Sequence, residues 1–114
     1  MLMFVNPGKF KHLITVQKKE IVSDGIGNQL VNWIDVKKVY ADINGLYGSE
    51  YWEAAAKGQQ DTIVFTVRWS KTLEESMRDI TDKRISYKGN NYEILNFDNV
   101  KFENRLCKIK AVNK

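Results

Sequence analysis

The sequence predicts a mainly β protein: a small antiparallel β-barrel or sandwich of about six strands with one short α-helix in a long loop. Three observations predict this class: stretches in which apolar and polar residues alternate, turn signals between those stretches, and one segment of helical composition. With 114 residues, the chain has the size of a single domain over residues 1–114. Three Trp, five Tyr and five Phe are enough for one bulky core.

The first two predicted strands lie on either side of a glycine-containing turn. The first strand places three alternating residues on one face, namely His12, Ile14 and Val16. Residues 28–43 form a longer stretch rich in β-branched and aromatic residues, as expected of a long strand that wraps a small barrel. Its imperfect alternation predicts a bulge or bend near residues 35–38. Residues 23–28 form the turn, because Gly and Asn adopt positive φ at little cost.

The long connection that follows contains the one clearly predicted helix, at residues 50–57. We expect Ser49 to cap its first turn and Gly58 to end it. A helix this short is marginal alone, so it must dock on the rest of the fold. Tyr51 and Trp52 are the expected anchors.

The second half of the chain predicts four further strands. They lie at residues 63–69, 84–87, 91–97 and 105–112. Lys88-Gly89-Asn90 predicts a hairpin, because Gly-Asn suits a primed turn. Residues 71–80 leave two alternatives open, a helical turn beginning near Thr72 or a polar loop.

No residue pattern points to catalysis or to a metal. The single histidine, His12, shares a strand face with apolar residues, and the single cysteine, Cys107, is expected to be a small buried hydrophobe. Neither supports a nucleophile–base pair or a metal site, and one cysteine excludes an intrachain disulfide. Glu74 and Glu75 are neighbours that cannot face one site together. The sequence therefore predicts a non-enzyme without cofactor or metal.

The net charge of +4 is concentrated at the C-terminal end. Five basic residues against one acidic residue lie within residues 101–114, an excess equal to the charge of the whole chain. Such an end can face nucleic acid or an acidic protein, although lysines also protect exposed strand edges from aggregation. A nucleic-acid-binding barrel is therefore the alternative function. Such a barrel stacks bases on aromatic side chains that have basic neighbours, and Arg68-Trp69 is one such pair. Adjacent residues in a strand point to opposite faces, however, which weakens the case for a single stacking surface.

Several short motifs, each present once, follow one another in a characteristic order along nearly the whole chain. They are Asn6-Pro7-Gly8-Lys9 before the first strand, Gly27-Asn28 before the second, Gly48-Ser49-Glu50-Tyr51-Trp52-Glu53-Ala54 at the helix, and then Met77-Arg78, Arg84-Ile85 and Tyr92-Glu93-Ile94. Their order resembles the phage head–tail joining family, also called head–tail adaptor or head-closure proteins. The chain departs from the family pattern at residues 70–82, where a Pro-Gly turn is common in the family.

The resemblance implies a structural subunit of a homo-oligomeric ring at the head–tail interface of a phage or prophage virion. The ring would join the portal or connector of the DNA-filled capsid to a tail-completion or tail-tube protein, and close the DNA channel. Its other partner would be packaged double-stranded DNA, contacted transiently, with no membrane involved. The apolar start of the chain is too short for a signal peptide, so we expect synthesis in the bacterial host cytoplasm.

Two sets of residues are the candidate contact sites. We expect the loop and helix to contact neighbouring subunits or line the channel, through Gly45, Leu46, Tyr47, Gly48, Ser49, Glu50, Tyr51, Trp52 and Glu53. We expect weak contacts with DNA or a partner from the basic end, through Lys101, Arg105, Lys108 and Lys110. Head-to-tail ring contacts are individually weak, so the free chain should be mostly monomeric.

Overall fold

A computed structural model of the protein describes residues 10–46 and 48–113. The strands are β1 (His12–Ser23), β2 (Gln29–Gly45), β3 (Ile63–Arg68), β4 (Lys83–Tyr87), β5 (Asn90–Asn99) and β6 (Leu106–Asn113). The helices are α1 (Ser49–Ala56) and α2 (Lys71–Ser76), and a 3-10 turn spans Val100–Phe102. The predicted class, mainly β with about six antiparallel strands, is confirmed. The predicted N-terminal turn at residues 6–9 and Tyr47 lie outside the described residues.

The six strands pair antiparallel and close into a barrel in the order β1-β2-β3-β6-β5-β4. Closure is made by β4 and β1, which pair from Thr15 with Ser86 to Lys18 with Lys83. Backbone N–H and C=O groups that would be unpaired at the edges of an open sheet therefore pair with each other.

Alternate side chains of the barrel strands point inward and form the core together with residues from α2. The fully buried members of largest volume are Phe65, Ile14, Leu73, Ile85, Ile109, Val16, Val67 and Cys107. Phe65 and Tyr92 meet edge to face, with ring centroids 5.3 Å apart. His12 is half-buried on the same face as Ile14, and its Nδ1 forms a 2.7 Å hydrogen bond with the Tyr87 hydroxyl. The predictions that His12 shares a strand face with apolar residues and that Cys107 is a small buried hydrophobe are confirmed.

The β1–β2 hairpin departs from the prediction in its outer half. The predicted bulge is confirmed: Val16 pairs with Lys37 but Gln17 pairs with Asp35, so Val36 is the extra residue. Beyond Lys18, β1 and β2 pair only with each other, because the pairing of β4 with β1 ends at that residue. Residues 19–34 therefore form a two-stranded projection, called the ribbon below. The expectation that the whole second strand wraps the barrel is wrong for this half.

The helix α1 begins and docks differently from the prediction. Gly48, with a φ of 66°, occupies the capping position, and Ser49 is already helical and makes no capping hydrogen bond. Tyr51 and Trp52 are exposed rather than anchored. Half-buried Ala54 and Ala55 form the docked side instead, and Gly58 ends the helix as predicted, with a φ of 73°.

Two further connections are settled by the structure. The open question at residues 71–80 is answered by α2, whose Ser70 Oγ accepts a hydrogen bond of 3.2 Å from the Leu73 N–H. Leu73 and Met77 pack into the core and hold this helix in place. The β4–β5 hairpin is present, but its central residues are Lys88 and Gly89, with φ of 49° and 79°, one position before the predicted Gly-Asn pair.

Replacing Ser70 with Ala should lower the free energy of unfolding by about 1 kcal/mol, because the substitution removes the capping hydrogen bond of α2. The matched control is Ser49→Ala. It should change stability by less than about 0.5 kcal/mol, because Ser49 caps nothing and Ala is a good helix former. Urea unfolding followed by tryptophan fluorescence measures both values. Equal losses in the two variants would contradict this account of the helix starts.

The buried thiol of Cys107 should be inert in the folded protein. Burial, reinforced by the carboxylates of Glu74 and Asp98, raises its pKa to about 11, so almost none is thiolate at pH 8. A thiol reagent at pH 8 should therefore label the native chain only after urea is added. An Ile26→Cys variant should show one additional thiol that reacts at once, since residue 26 is exposed.

The same raised pKa predicts the direction of a pH effect on stability. The contribution of the neutral thiol is complete below the unfolded pKa, near 9, and is lost as the pH rises toward about 11. The loss of unfolding free energy between pH 8 and pH 10.5 should accordingly be smaller in Cys107→Ala than in the parent chain. Identical losses would show that Cys107 does not titrate in the folded state as described.

Candidate functional site

Residues from the two predicted contact sets lie around one groove of about 490 Å³ on the outer surface of the barrel. Members of both sets line this outer groove: Gly45, Gly48, Ser49, Glu50, Lys108 and Lys110. They meet because β3 pairs on one side with the end of β2 and on the other side with β6. Lys108 and Lys110 share the outward face of β6, as predicted, because Cys107, Ile109 and Ala111 point inward.

The charge of the outer groove is mixed rather than uniformly basic. The Lys110 Nζ atom lies 3.7 Å from the Glu50 Oε1 atom, which links β6 to the first turn of α1. Lys108 is paired across the sheet with Asp98, which lines the same groove. An exposed pair of this kind contributes less than about 1 kcal/mol to stability. Its main effect here is to reduce the positive potential that the sequence alone indicated.

The other two predicted basic residues lie elsewhere. Lys101 belongs to the 3-10 turn between β5 and β6, where its φ is 54°. Arg105 directly precedes β6, and its carbonyl oxygen accepts a 2.9 Å hydrogen bond from the Trp69 N–H. At about 3.3 Å per strand residue, Arg105 is about 16 Å from Lys110 along β6. The structure therefore brings Lys108 and Lys110 together but does not gather all four basic residues into one patch.

The rest of the predicted loop and helix stands on the outside of the barrel. Trp52 is 72% exposed and packs edge to face on Tyr51, with ring centroids 5.3 Å apart. Leu46 and Glu53 line a second, smaller groove between α1 and β5. No residue of α1 is fully buried. The helix therefore carries a solvent-facing aromatic pair on a weakly attached support.

Three of the aromatic and basic residues that a nucleic-acid site could use, Trp33, Lys83 and Arg84, are engaged within the chain. The Arg84 guanidinium lies 4.2 Å from the ring centroid of Trp33, and burial lowers the pKa of Arg84. The Lys83 Nζ atom donates a 2.6 Å hydrogen bond to the Asp82 carboxylate. These contacts do not form the open row of aromatic rings that sequence-independent binding of single strands uses.

Two further structural observations concern chemistry and membranes. Within residues 10–46 and 48–113, no group of three or more His, Cys, Asp or Glu side chains is arranged to hold a metal ion. No helix in the same part of the chain has the length and apolar character needed to cross a membrane.

Sequence reasoning missed the ribbon and the acidic partners of the lysines. The available signal for the ribbon was length, since β1 has 12 residues and β2 has 17, whereas strands of about 5–6 residues are most common. Nothing in the local sequence pairs Asp98 with Lys108 or Glu50 with Lys110, because each pair is created by tertiary contacts.

Comparisons with known proteins agree with this architecture. The fold is similar to the solution structure of a Shigella flexneri 2a protein, with 23% identity, a TM-score of 0.66 and coverage of 96% of each chain. It is also similar to a chain in the virion of a native gene transfer agent particle, with 17% identity, a TM-score of 0.57, and coverage of 89% of this chain and 91% of that one. No curated protein sequence matches.

A family model goes beyond this likeness of fold. The model described as phage head completion protein matches residues 5–114, almost the entire chain. The match confirms the resemblance predicted from the order of the sequence motifs. The chain therefore belongs to the phage head completion protein family and has a structural role in the phage head.

Proposed function

We propose that this chain is a subunit of the ring that connects a phage head to its tail and that it helps to close the DNA channel. Its family points to a structural rather than an enzymatic role. In this proposal the subunit forms a homo-oligomeric ring between the portal or connector and a tail-completion or tail-tube protein of a phage or prophage. The observation that carries the proposal is the exposed pair of Tyr51 and Trp52 on α1.

An exposed aromatic pair favours protein contact for a physical reason. Tyr and Trp supply large apolar areas with few rotatable bonds, so they are enriched among the residues that dominate interface energies. In this chain they contribute nothing to the barrel core, whose aromatic members are Phe65 and Tyr92. Docking against a neighbouring subunit would remove their apolar surface from water.

The weak attachment of α1 fits the same role. The helix has eight residues, fewer than an isolated helix needs to be stable in water. It is tied to the barrel by two half-buried alanines and the exposed Glu50–Lys110 ion pair. A segment with so few internal contacts belongs to the least stable part of a fold, from which binding segments are commonly drawn. Contact with another subunit would complete its packing.

The outer groove is compatible with transient contact to packaged double-stranded DNA. A channel must let the duplex slide, so strong phosphate binding would hinder it. Lys108 and Lys110 face outward, but Asp98 and Glu50 lie beside them and reduce their attraction for phosphate. The mixed charge therefore supports a weak DNA contact and argues against the alternative function, a dedicated nucleic-acid-binding barrel.

The aromatic pair can be tested with Trp52→Ala in a phage or prophage whose own copy is inactivated. The variant should keep its unfolding free energy within about 0.5 kcal/mol, because Trp52 is exposed. The yield of tailed, DNA-filled particles in electron micrographs should fall about tenfold or more, the effect of losing a typical dominant interface residue. Phe102→Ala is the matched control, since Phe102 is 88% exposed but lies outside α1.

Deletion of residues 45–48 is a stronger version of the same test, because it shortens the connection that carries α1. If this deletion variant folds and still supports tailed particles that retain their DNA, the role of α1 in assembly is wrong. Equal losses from Trp52→Ala and Phe102→Ala would also contradict it.

Purified protein should bind DNA weakly and without sequence preference. Fluorescence anisotropy at about 150 mM salt should give dissociation constants above the micromolar range, with no preference for single strands. Four phosphate contacts would give a log–log salt slope of roughly −3 to −4 on duplex DNA, and we expect a shallower slope because only Lys108 and Lys110 lie together. Lys108→Gln should weaken binding more than the control Lys71→Gln on α2. Submicromolar binding to a single-stranded oligonucleotide would instead support the nucleic-acid-binding alternative.

A further inference from the structure

The ribbon leaves an unusual amount of apolar surface uncovered. Its exposed large apolar side chains are Ile21, Val22, Ile26, Leu30, Val31 and Ile34. Both of its edges lack a neighbouring strand, because β4 leaves β1 at Lys18 and β3 joins β2 only at Ala41. They lie on both faces of the ribbon, since Ile21 pairs with Val31 and the next residue, Val22, pairs with Leu30. A two-stranded ribbon is marginally stable in water by itself, and exposed apolar side chains in such numbers mark an interaction site. The ribbon therefore needs a partner surface.

The tip of the ribbon, residues 24–28, presents an exposed apolar side chain beside a negatively charged carboxylate. Ile26 is 82% exposed and lies between Gly25 and Gly27, whose φ values are 85° and 92°. The Asp24 Oδ1 atom accepts hydrogen bonds from the N–H groups of Ile26, at 2.9 Å, and Asn28, at 3.1 Å. These bonds hold the turn in shape and lower the pKa of Asp24, which keeps its carboxylate ionised.

A groove of complementary character lies at the base of the ribbon. It measures about 420 Å³, and the residues that matter here are Phe10, Val39, Tyr40 and Trp69, with Lys37 and Arg68. The Arg68 guanidinium lies 5.6 Å from the Phe10 ring centroid, and the Lys37 Nζ atom donates a 2.8 Å hydrogen bond to Thr72. This base groove thus combines an apolar surface with two positive charges.

A chain cannot place its own tip in its own base groove. From Gln29 to Tyr40 the chain runs along β2, which separates the tip from the groove by about 35 Å at 3.3 Å per residue. The tip in turn reaches about 25 Å past Lys18, where the barrel ends. This reach is comparable to the two shorter dimensions of the chain, 34 and 25 Å. The tip can therefore reach a copy that lies alongside.

We propose that the ribbon of each copy docks on the next copy of this chain, with Ile26 entering the base groove and Asp24 facing Lys37 and Arg68. Tip and groove are different surfaces, so the contact is head-to-tail and repeats from copy to copy, which is the arrangement that can close into a ring. The inference rests on the proposed function for the existence of the ring. It adds the identity of the contact between subunits.

Engineered cysteines test this contact directly. Ile26→Cys and Tyr40→Cys both alter exposed positions, and native Cys107 is buried and does not interfere. A disulfide requires Cα atoms within about 7 Å, so no bridge can form between positions 26 and 40 of one chain. Under mild oxidation, a mixture of the two single variants at high concentration should give a covalent dimer that neither variant gives alone. The double variant should give a ladder of oligomers, both in concentrated solution and in assembled particles.

A second pair of variants tests the chemistry of the tip. Ile26→Asp should leave the urea midpoint unchanged, because the side chain is exposed. The mixed experiment then needs another cysteine near the tip, and exposed Asn28, two residues from Ile26, is replaced with Cys for this purpose. With Ile26→Asp in the Asn28→Cys partner, the covalent dimer with Tyr40→Cys should be abolished. Phe102→Asp, at an equally exposed position away from the ribbon, should not change the yield of that dimer.

The outcomes separate this inference from the proposed function. Tailed particles that contain the double variant and show no bridge between positions 26 and 40 would overturn the docking of the ribbon, while the connector role would stand. A predominance of Ile26→Cys homodimers would overturn it too, since it would mean that tips meet tips. If tailed particles form equally well without the chain, the connector role itself fails, whatever bridges the purified protein forms.

Discussion

The pairing of β1 with β4 is the interaction on which the rest of the structure depends. Four residue pairs, from Thr15 with Ser86 to Lys18 with Lys83, join the first strand of the described chain to the fourth and convert a sheet into a closed barrel. Closure gives every inward side chain a complete set of neighbours, so residues as small as Ala41 and Ala111 are fully buried. It also sets a boundary. Where β4 ends, the hairpin leaves the barrel and continues as the ribbon.

The chain consequently separates the residues that stabilise it from those available for assembly. A domain of this size buries roughly two thirds of the surface that its unfolded chain exposes, which is enough for one compact core. Helix α2 contributes Leu73 and Met77 to that core, whereas α1 contributes no buried residue. Helix α1 and the ribbon keep most of their large apolar side chains in solvent. In the proposed ring, neighbouring subunits would cover these surfaces.

The distribution of charge follows the same division. The positive excess of the C-terminal end is spread along β6 and the loop before it, and acidic residues from β5 and α1 stand beside its central lysines. Such a surface attracts a polyanion only weakly, because each phosphate contact competes with an internal one. By contrast, Lys37 and Arg68 lie beside apolar side chains in the base groove, where a matching carboxylate adds to specificity more than to affinity.

Local sequence determined the elements and many of the buried faces. Alternation identified the strand faces of Ile14, Phe65 and Val67, the turn at residues 23–28 and the bulge beside Val36, because each depends on the conformational preferences of neighbouring residues. The ordered motifs were also sufficient to indicate the family, which the match over residues 5–114 confirms. The start of α1 was displaced by one residue, since the positive φ of Gly48 decided where the helix begins.

Only the tertiary structure decided what covers each face. Val31 and Ile34 lie in the same kind of β-branched stretch as Ile14 and Val16, yet they are exposed, because no third strand reaches them. The outer groove likewise exists only through the pairing of β3 with both β2 and β6, which joins segments far apart in sequence. The alternation of apolar and polar residues shows which side chains of a strand lie on the same face. The register and the ends of neighbouring strands determine whether anything lies against that face.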